Sequence, residues 1–243
     1  MLHGWYTGRS LLEEMERVPP AARQSTVGAR LCISEVRLGG GGGSGLSVSG
    51  TVLAGMIDVG DRLLLMPARE LVTVRGLRSR GVTVPRVVAG DQCDATLLPS
   101  TPVEPTAVGP GSVLCDPSRP MPISSRLEMC VRMVGLAGCE APLTLGQPLE
   151  LHVHVASCAC RIHRFVCWAD AKSGSRIETE SPPRTLGVGC GRAAYVHIEL
   201  EKPLPVELHA DCRHLGRVAL RDGGKTIATG VITGYMRPHT TAR

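Results

Sequence analysis

The chain has 243 residues; only 2% of them are aromatic, whereas 29 are glycine and 18 are proline. This length allows one large domain or two domains of about 100 to 120 residues, and we favour two. The composition favours an all-β architecture whose cores are built of aliphatic side chains, methionine and cysteine. The net charge of +5 comes mainly from arginine and fits a phosphate-rich partner, but a GC-rich coding bias explains the arginines equally well, so charge alone identifies no partner.

Ten cysteines would indicate disulfide bonds in a small secreted protein. The opening residues, MLHGWYTGRS, lack the basic start and continuous apolar core of a signal peptide. No run approaches the roughly 18 apolar residues of a membrane span. We therefore expect reduced, mostly buried thiols in a soluble, cytoplasmic protein with no membrane partner.

Residues 10–18 predict a short helix. Ser10 and Glu13 form a capping-box pattern, and prolines at 19 and 20 end the helix. Its apolar side chains fall on one face at helical spacing: Leu11, Leu12, Met15 and Val18. Because so short a helix is marginal alone, we expect this face to pack against another element.

The periodicity changes to two from Arg30 onward, which predicts a strand with Leu31, Ile33 and Glu35 on one face and Cys32, Ser34 and Val36 on the other. The glycine-rich segment GGGGGSG at 39–45 invites a phosphate-loop interpretation. That loop needs a lysine followed by Ser or Thr, and no lysine precedes Lys172. We interpret the segment as a hairpin tip.

Residues 45–67, GLSVSGTVLAGMIDVGDRLLLMP, alternate short apolar pieces with glycines about five residues apart. Leu46, Val48, Val52 and Leu53 favour strands, and Asp61 begins a further apolar run. We expect turns or interruptions at Gly50, Gly55 and Gly60, and a strand end at Pro67.

Another strand is predicted at ELVTVRGL, residues 70–77, and a turn at Ala89, Gly90 and Asp91 precedes one more. Positive charge concentrates around the connection between these strands. The candidate contacts for rRNA or a protein partner are Arg75, Arg78, Arg80 and Arg86. The same arginines are also explained as a solvated face. Residues 99–122, rich in Pro, Ser and Gly apart from the short run VLCDP, indicate the end of the first domain and a linker, with a domain boundary near Arg119.

The second half shows clearer alternation in RLEMCVRMV, LELHVHV and AAYVHIEL. The expected inward residues are Leu127, Met129, Val131 and Met133; Leu149, Leu151, Val153 and Val155; and Ala194, Val196, Ile198 and Leu200. With CRIHRFVCWAD, PVELHA, GRVALRD and TIATGVITGY as further strands, the pattern predicts a second closed or nearly closed antiparallel barrel.

Potential metal ligands are densest at His152, His154, Cys158, Cys160 and His163, but the paired spacing of a zinc site is absent. No Cys, His and acid form a nucleophile motif, and no G-x-S-x-G occurs. The G-domain sequences D-x-x-G and N-K-x-D are not found in a G-domain context. We expect no catalytic, cofactor or metal site in this chain.

The glycine pattern of residues 45–67 resembles the second domain of the translational GTPases, a small β-barrel. The matching positions are Gly45, Gly50, Gly55, Gly60, Asp61 and Pro67. LGRVALRDGGKTIATGVITGY at 215–235 resembles the C-terminal strand pair of that superfamily, at Leu215, Gly216, Arg217, Arg221, Asp222, Thr226, Ile227, Ala228 and Gly230. Val218 departs from the pattern, because the family commonly has an aromatic residue there.

Within the superfamily, RLCISEV and GDRLLLMPARELVTVRGL most resemble the Hbs-type GTPase, which works with Pelota in ribosome rescue and mRNA surveillance. The resemblance implies two consecutive antiparallel β-barrels: a connector at 1–26, domain II at 27–118, domain III at 119–238 and a tail at 239–243. It also implies a histidine at the position of His154 without a metal, explained by barrel packing or a hydrogen bond at the domain junction.

By this resemblance, GTP and magnesium belong to a G domain outside these residues, and the partners are small-subunit rRNA and a Pelota-type or release-factor-type protein. Three alternatives stay open. They are the same region of a class II release factor, of an elongation factor 1 alpha-like protein, or a stand-alone interaction module.

Overall fold

The computed structural model describes residues 8–19, 22–24, 27–38, 45–101, 107–134, 142–170, 172–177, 181–187 and 192–236. Within these ranges the chain forms one helix, α1 (Leu11–Glu16), and two closed barrels of six antiparallel strands each. The all-β, two-barrel prediction is confirmed. No helix in the described part of the chain is long and apolar enough to cross a membrane.

The first half of the described chain contains nine strands, six of which close barrel one: β1 (Arg30–Leu38), β2 (Leu46–Ala54), β3 (Met56–Asp58), β4 (Arg62–Met66), β5 (Glu70–Ser79), β6 (Val82–Val84), β7 (Arg86–Val88), β8 (Gln92–Pro99) and β9 (Val113–Cys115). The closed order is β4-β9-β1-β2-β8-β5, with β5 pairing back to β4. β6 extends the sheet beside β5, and β3 pairs with β7. The glycine-rich tip predicted at 39–45 falls largely outside the described residues, but its flanks pair as Leu38 with Leu46.

Two predictions for β1 and β2 are wrong, and a bulge in β1 explains the first. Ser34 has no opposite residue in the register with β2, because Ile33 pairs with Gly50 and Glu35 with Ser49. The extra residue reverses the alternation, so Val36 packs on the barrel core although the period of two predicts it on the face of Cys32. Gly50 does not interrupt β2 as predicted, because the strand runs through it.

Two similar turns follow the paired strands β3 and β7 of barrel one. Asp61 Oδ2 accepts the Asp58 amide at 2.8 Å, and Asp91 Oδ2 accepts the Val88 amide at 3.0 Å. In each turn a glycine of positive φ, Gly60 or Gly90, precedes the aspartate. The turn predicted around Gly90 is confirmed, whereas its similarity to the one at Gly60 emerges only from the structure.

Replacing Asp91 by alanine is expected to lower the free energy of unfolding by about 1 kcal/mol, since it removes the acceptor of the Val88 amide. The same amide, and then Arg23, lower the pKa of Asp91. The carboxylate therefore stabilises the fold above its unfolded pKa, and this contribution is lost as the pH falls through the lowered value. Urea unfolding at pH 7 measures the effect. The matched variant Asp91→Asn retains an acceptor oxygen and should lose less; equal stability of Asp91→Ala and wild type would contradict the assignment.

The second barrel contains β10 (Ile123–Met133), β11 (Leu143–Thr144), β12 (Pro148–Val153), β13 (Ala156–Asp170), β14 (Arg176–Ile177), β15 (Thr185–Leu186), β16 (Arg192–Pro205), β17 (Arg217–Asp222) and β18 (Lys225–Tyr235). It closes in the order β12-β17-β18-β10-β16-β13, with β13 pairing back to β12. The inward residues predicted on β10 and β16 are buried, as are the first three on β12.

Two predictions in this barrel are wrong. β12 ends at Val153, so Val155 lies in a turn and is 47% exposed. PVELHA is not a strand, because β16 ends at Pro205, which has no amide hydrogen to continue a ladder. Its residues Val206 and Glu207 are nevertheless buried.

The helix has the predicted capping box: the Ser10 amide donates to Glu13 Oε2 at 2.7 Å, and the Glu13 amide donates to Ser10 Oγ at 3.3 Å. Within the described residues the expected packing is not seen, since Leu11 and Met15 are 79% and 63% exposed. Both barrels fill their interiors with their own strands, and no described residue covers the apolar face of the helix.

Candidate functional site

The two barrels share an apolar cluster. Barrel one contributes outward-facing residues of β2, β4 and β9, and the second half contributes the segment before β10 and the loop between β16 and β17. The members are Ala54, Met66, Val113, Cys115, Met121, Cys212 and Leu215. Side chains of one unit that are buried against the other stabilise a fixed arrangement of the two barrels.

A buried ion pair crosses the same junction. Arg30 Nε on β1 donates to Glu207 Oε1 at 2.6 Å, and the two side chains are 7% and 10% exposed. Arg30 Nη2 also donates to the Arg119 carbonyl at 2.9 Å and Nη1 to the Ala29 carbonyl at 3.0 Å. The guanidinium therefore joins barrel one, the linker and the second barrel.

The turn between β12 and β13 forms a third contact. His154 Nδ1 lies 3.3 Å from Cys32 Sγ on β1, and its Nε2 lies 3.2 Å from the Pro205 carbonyl. Gly111 of barrel one approaches Ala156 so closely that a Cβ on this glycine would lie 2.6 Å from the alanine methyl. The hydrogen bond at the domain junction considered for His154 is thus present.

The five residues considered as metal ligands do not converge. His152 pairs with Glu150 at 2.9 Å, and His154 lies at the junction. Cys158 and Cys160 are buried in the core of barrel two, whereas His163 is exposed. In the described ranges no three His, Cys, Asp or Glu side chains are grouped to hold a metal ion.

An open groove of about 990 Å³ crosses the outer face of barrel two. Small residues of β10, β17 and β18 lie along its floor, among them Cys130, Ala219, Thr229 and Gly230. Basic or imidazole side chains surround it: Arg132, Lys172, Arg217, His209 and His214. Such a surface fits an acidic partner.

Charge around the groove is mainly positive. Burial, followed by the nearby Arg217 and Arg213, lowers the pKa of His209. The acidic residue lining the groove, Asp170, accepts the backbone amides of Ser173 and Lys172 at 2.6 and 3.1 Å, and the Ser173 amide chiefly lowers its pKa. Its charge is therefore engaged within its own turn.

The four arginines selected from the sequence are not equivalent. Arg75, Arg78 and Arg80 are exposed along β5 and at the tip of the β5–β6 hairpin, where Arg78 Nη2 donates to the Gly81 carbonyl. Arg86 binds Asp58 through two hydrogen bonds of 2.6 and 2.8 Å, which lowers the pKa of that carboxyl. Three exposed arginines therefore form the basic patch of barrel one, and the charge of Arg86 is compensated.

Residues 130–233 match the family model described as GTP-eEF1A C-terminal domain-like. Protein HBS1 of Drosophila melanogaster is 30% identical over 232 residues, 96% of this chain and 33% of HBS1. Elongation factor 1-alpha of Metallosphaera sedula is 31% identical over 230 residues, 94% of this chain and 50% of the relative. The chain belongs to the superfamily of elongation factor 1 alpha-like translational GTPases. It spans about a third to a half of the length of these relatives.

Two solved structures share the fold. Sup35 in complex with GMPPNP superposes with a TM-score of 0.74 at 22% identity, covering 96% of this chain and 53% of Sup35. The translation elongation factor SelB from Methanococcus maripaludis gives a TM-score of 0.71 at 17% identity, covering 93% of this chain and 47% of SelB.

Most glycines of the superfamily pattern lie where two backbone segments touch. A Cβ on Gly50, Gly216 or Gly230 would collide with the backbone of Cys32, His209 or Cys130 respectively. Gly55 has a φ of 73° and lies against Ala29, whereas Gly60 has open space and a φ of 101°. Glycine at these positions is explained by the architecture of the barrels.

The other pattern residues have separate structural roles. Asp61 holds its turn, and Pro67 follows a cis peptide bond. Leu215, Ile227 and Ala228 are buried, and Thr226 is half-buried. Arg221 Nη2 donates to the Gly224 carbonyl, and Asp222 Oδ2 accepts from Gln147 at 2.9 Å. A Cβ on Gly45, by contrast, would lie 3.9 Å from its nearest neighbour, the Leu97 carbonyl oxygen, and Arg217 lies at the edge of the groove.

Proposed function

We propose that the chain forms the barrel region of an Hbs-type translational GTPase, and that it binds the small ribosomal subunit and a Pelota-type protein during ribosome rescue and mRNA surveillance. The main support is the similarity to HBS1 over 96% of this chain. The division into a connector at 1–26, barrels at 27–118 and 119–238 and a tail belongs to this proposal, as does a cytoplasmic location. GTP and magnesium would act in a nucleotide-binding domain of the full-length protein.

The basic patch of barrel one is the proposed rRNA contact. Its three exposed arginines lie within six consecutive residues of one strand and its hairpin, a spacing that fits the neutralisation of adjacent phosphates. Arg86 is a weaker candidate, because Asp58 already compensates its charge.

Replacing Arg75, Arg78 and Arg80 together by glutamine should weaken binding to small ribosomal subunits and reduce the slope of log K against log salt by about 2 to 3. The affinity should be measured between about 50 and 200 mM KCl, the range in which phosphate contacts change binding most. Arg86→Gln is the matched control and should change the slope by less than about 1. An unchanged slope in the triple variant would remove this patch from the proposal.

The groove of barrel two is the proposed partner site. Its positive rim and floor of small side chains fit an acidic protein surface. We expect the chain to retain purified Pelota-type protein in a pull-down and Arg217→Glu to abolish retention, whereas Lys202→Glu, which reverses an exposed lysine outside the groove, should have no effect. Retention of the release factor in place of the Pelota-type protein would favour the class II alternative.

One alternative is supported by a sequence similarity comparable to that of HBS1. Elongation factor 1-alpha of Metallosphaera sedula aligns over 94% of this chain at 31% identity, which keeps an elongation factor 1 alpha-like role as the second candidate. A stand-alone interaction module would bind the partner without any dependence on a GTP state. Coding sequence upstream of Met1 distinguishes a stand-alone module from the barrel region of a GTPase. An in-frame P-loop within about one domain length excludes the stand-alone module.

A further inference from the structure

The turn between β12 and β13 is held against barrel one by polar contacts with one imidazole. His154 has a positive φ of 43°, which places its ring between Cys32 of barrel one and Pro205 at the end of β16. The Val155 amide also faces the thiol of Cys32. Ala156 then packs against Gly111, and any side chain at position 111 would collide with this alanine.

These partners determine where the imidazole carries its hydrogen. The Pro205 carbonyl only accepts, so Nε2 must donate to it. Burial raises the pKa of Cys32 to about 11, so that side chain is a thiol at neutral pH and its S–H is able to donate to Nδ1. The Ala156 amide also donates to Nδ1, at 3.4 Å. The docked turn therefore requires a neutral ring with a free electron pair on Nδ1.

We propose that His154 is a latch between the barrels: when Nδ1 takes up a proton from solvent, the β12–β13 turn leaves Cys32 and the relative orientation of the barrels becomes variable. Once protonated, Nδ1 is itself a hydrogen-bond donor and no longer accepts from the Cys32 thiol. Its N–H would also point at the Ala156 N–H, so that two donors face each other. The Arg30–Glu207 pair and the shared apolar cluster remain as the contacts about which the barrels move.

The charged groups around His154 do not favour its cation. From β1, Arg30 is paired with Glu207, which follows Pro205 by two residues, and Cys32 is an uncharged thiol. On its own strand, Glu150 is paired with His152. The loop at 109–112 carries no titratable side chain. The groove that His154 also lines adds Arg132, Lys172, His209, His214 and Arg217, and its one acidic side chain, Asp170, is engaged by the amides of its own turn.

Burial lowers the pKa of His154. The hydrogen bond to the Pro205 carbonyl raises this pKa by less, so the net shift is downward. Above the unfolded value, about 6.5, the ring is neutral in both states and the docked turn keeps its full stability. As the pH falls from that value through the lowered pKa, the unfolded or undocked ring gains a proton that the docked ring resists. Docking is therefore progressively lost on the acidic side.

Residual dipolar couplings and amide exchange of the full chain, measured from about pH 7.5 to 5, on either side of the ordinary histidine pKa, test the proposal. We expect one fixed orientation of the barrels near neutral pH. Towards the acidic end the couplings of the two barrels should no longer fit one alignment, and the exchange of Val155 and Ala156 should accelerate at least about tenfold beyond the intrinsic pH effect. Both barrels should keep dispersed spectra throughout.

His154→Gln supplies an amide donor and an acceptor without a titrating ring, so it should keep the fixed orientation at the acidic end. His163→Gln removes an exposed histidine of the same barrel and should behave like wild type. As a variant that leaves the imidazole in place, Cys32→Ala removes the thiol donor and should move the transition to higher pH. The proposal is overturned if wild type keeps one orientation over the whole range, if His154→Gln loosens at the same pH as wild type, or if Cys32→Ala leaves the transition unmoved.

Discussion

Replacing Glu207 by glutamine is expected to lower the free energy of unfolding by about 3 to 5 kcal/mol, because it leaves the Arg30 guanidinium buried without a counter-charge. The pair has a 2.6 Å hydrogen bond, and both side chains are almost fully buried at the junction. Chemical unfolding followed by far-ultraviolet circular dichroism measures the loss.

Two further variants separate the missing charge from a general effect of the substitution. Glu199→Gln breaks a pair with Arg126 whose side chains are 36% and 30% exposed, and it should cost less than about 1 kcal/mol. The double replacement Arg30→Met with Glu207→Leu removes both charges and should recover most of the stability. Equal stabilities of Glu207→Gln and Glu199→Gln would show that the junction pair is not desolvated as described.

Gly50→Ala is expected to destabilise barrel one by about 3 kcal/mol or more, because the new methyl group would collide with the Cys32 carbonyl oxygen. The obstacle is backbone at the bulge of β1, so no side-chain rotation relieves it. The two strands must separate locally, and because Cys32 also binds His154, the junction should loosen as well. Thermal unfolding and the amide exchange of β1 report the two effects.

Gly76 provides a matched control in the same barrel. It also lies inside a strand, but nothing approaches within 4 Å of a Cβ at this position, and its φ is not positive. Gly76→Ala should therefore be neutral or stabilise by up to about 1 kcal/mol. If both alanine variants have the same melting temperature, close backbone approach does not explain the glycine at position 50.

Local sequence patterns were sufficient to predict most of the strands and the start of the helix. Period-two alternation predicted the inward residues of β10 and β16, and the capping box predicted the start of the helix. These patterns failed where one residue changes the period. The bulge at Ser34 reversed the face of Val36, and the positive φ of His154 ended β12 before Val155.

The contacts between the two barrels could not be predicted from local patterns, because the residues that pair there are far apart in sequence. Arg30 and Glu207 are separated by 177 positions, and Cys32 and His154 by 122. Each looks like an ordinary strand or loop residue in its own segment. The pairing of Arg86 with Asp58 likewise depends on β3 lying beside β7, so the sequence alone assigned this arginine to the same exposed patch as the other three.

These contacts give the two candidate surfaces a defined spatial relation. The basic patch belongs to barrel one and the groove to barrel two, and the apolar cluster, the ion pair and the β12–β13 turn hold one barrel against the other. Under the proposed function, a rigid pair of this kind would present one surface to the ribosome and the other to a protein partner at the same time.

Co-sedimentation of a Pelota-type protein with small ribosomal subunits, in the presence and absence of this chain, tests that claim most directly. We predict that the chain sediments with the subunits and raises the amount of bound Pelota-type protein above the level it reaches alone. Arg217→Glu should abolish the increase while the chain itself still sediments. A chain that does not bind subunits, or that binds them without retaining more partner, would contradict the account.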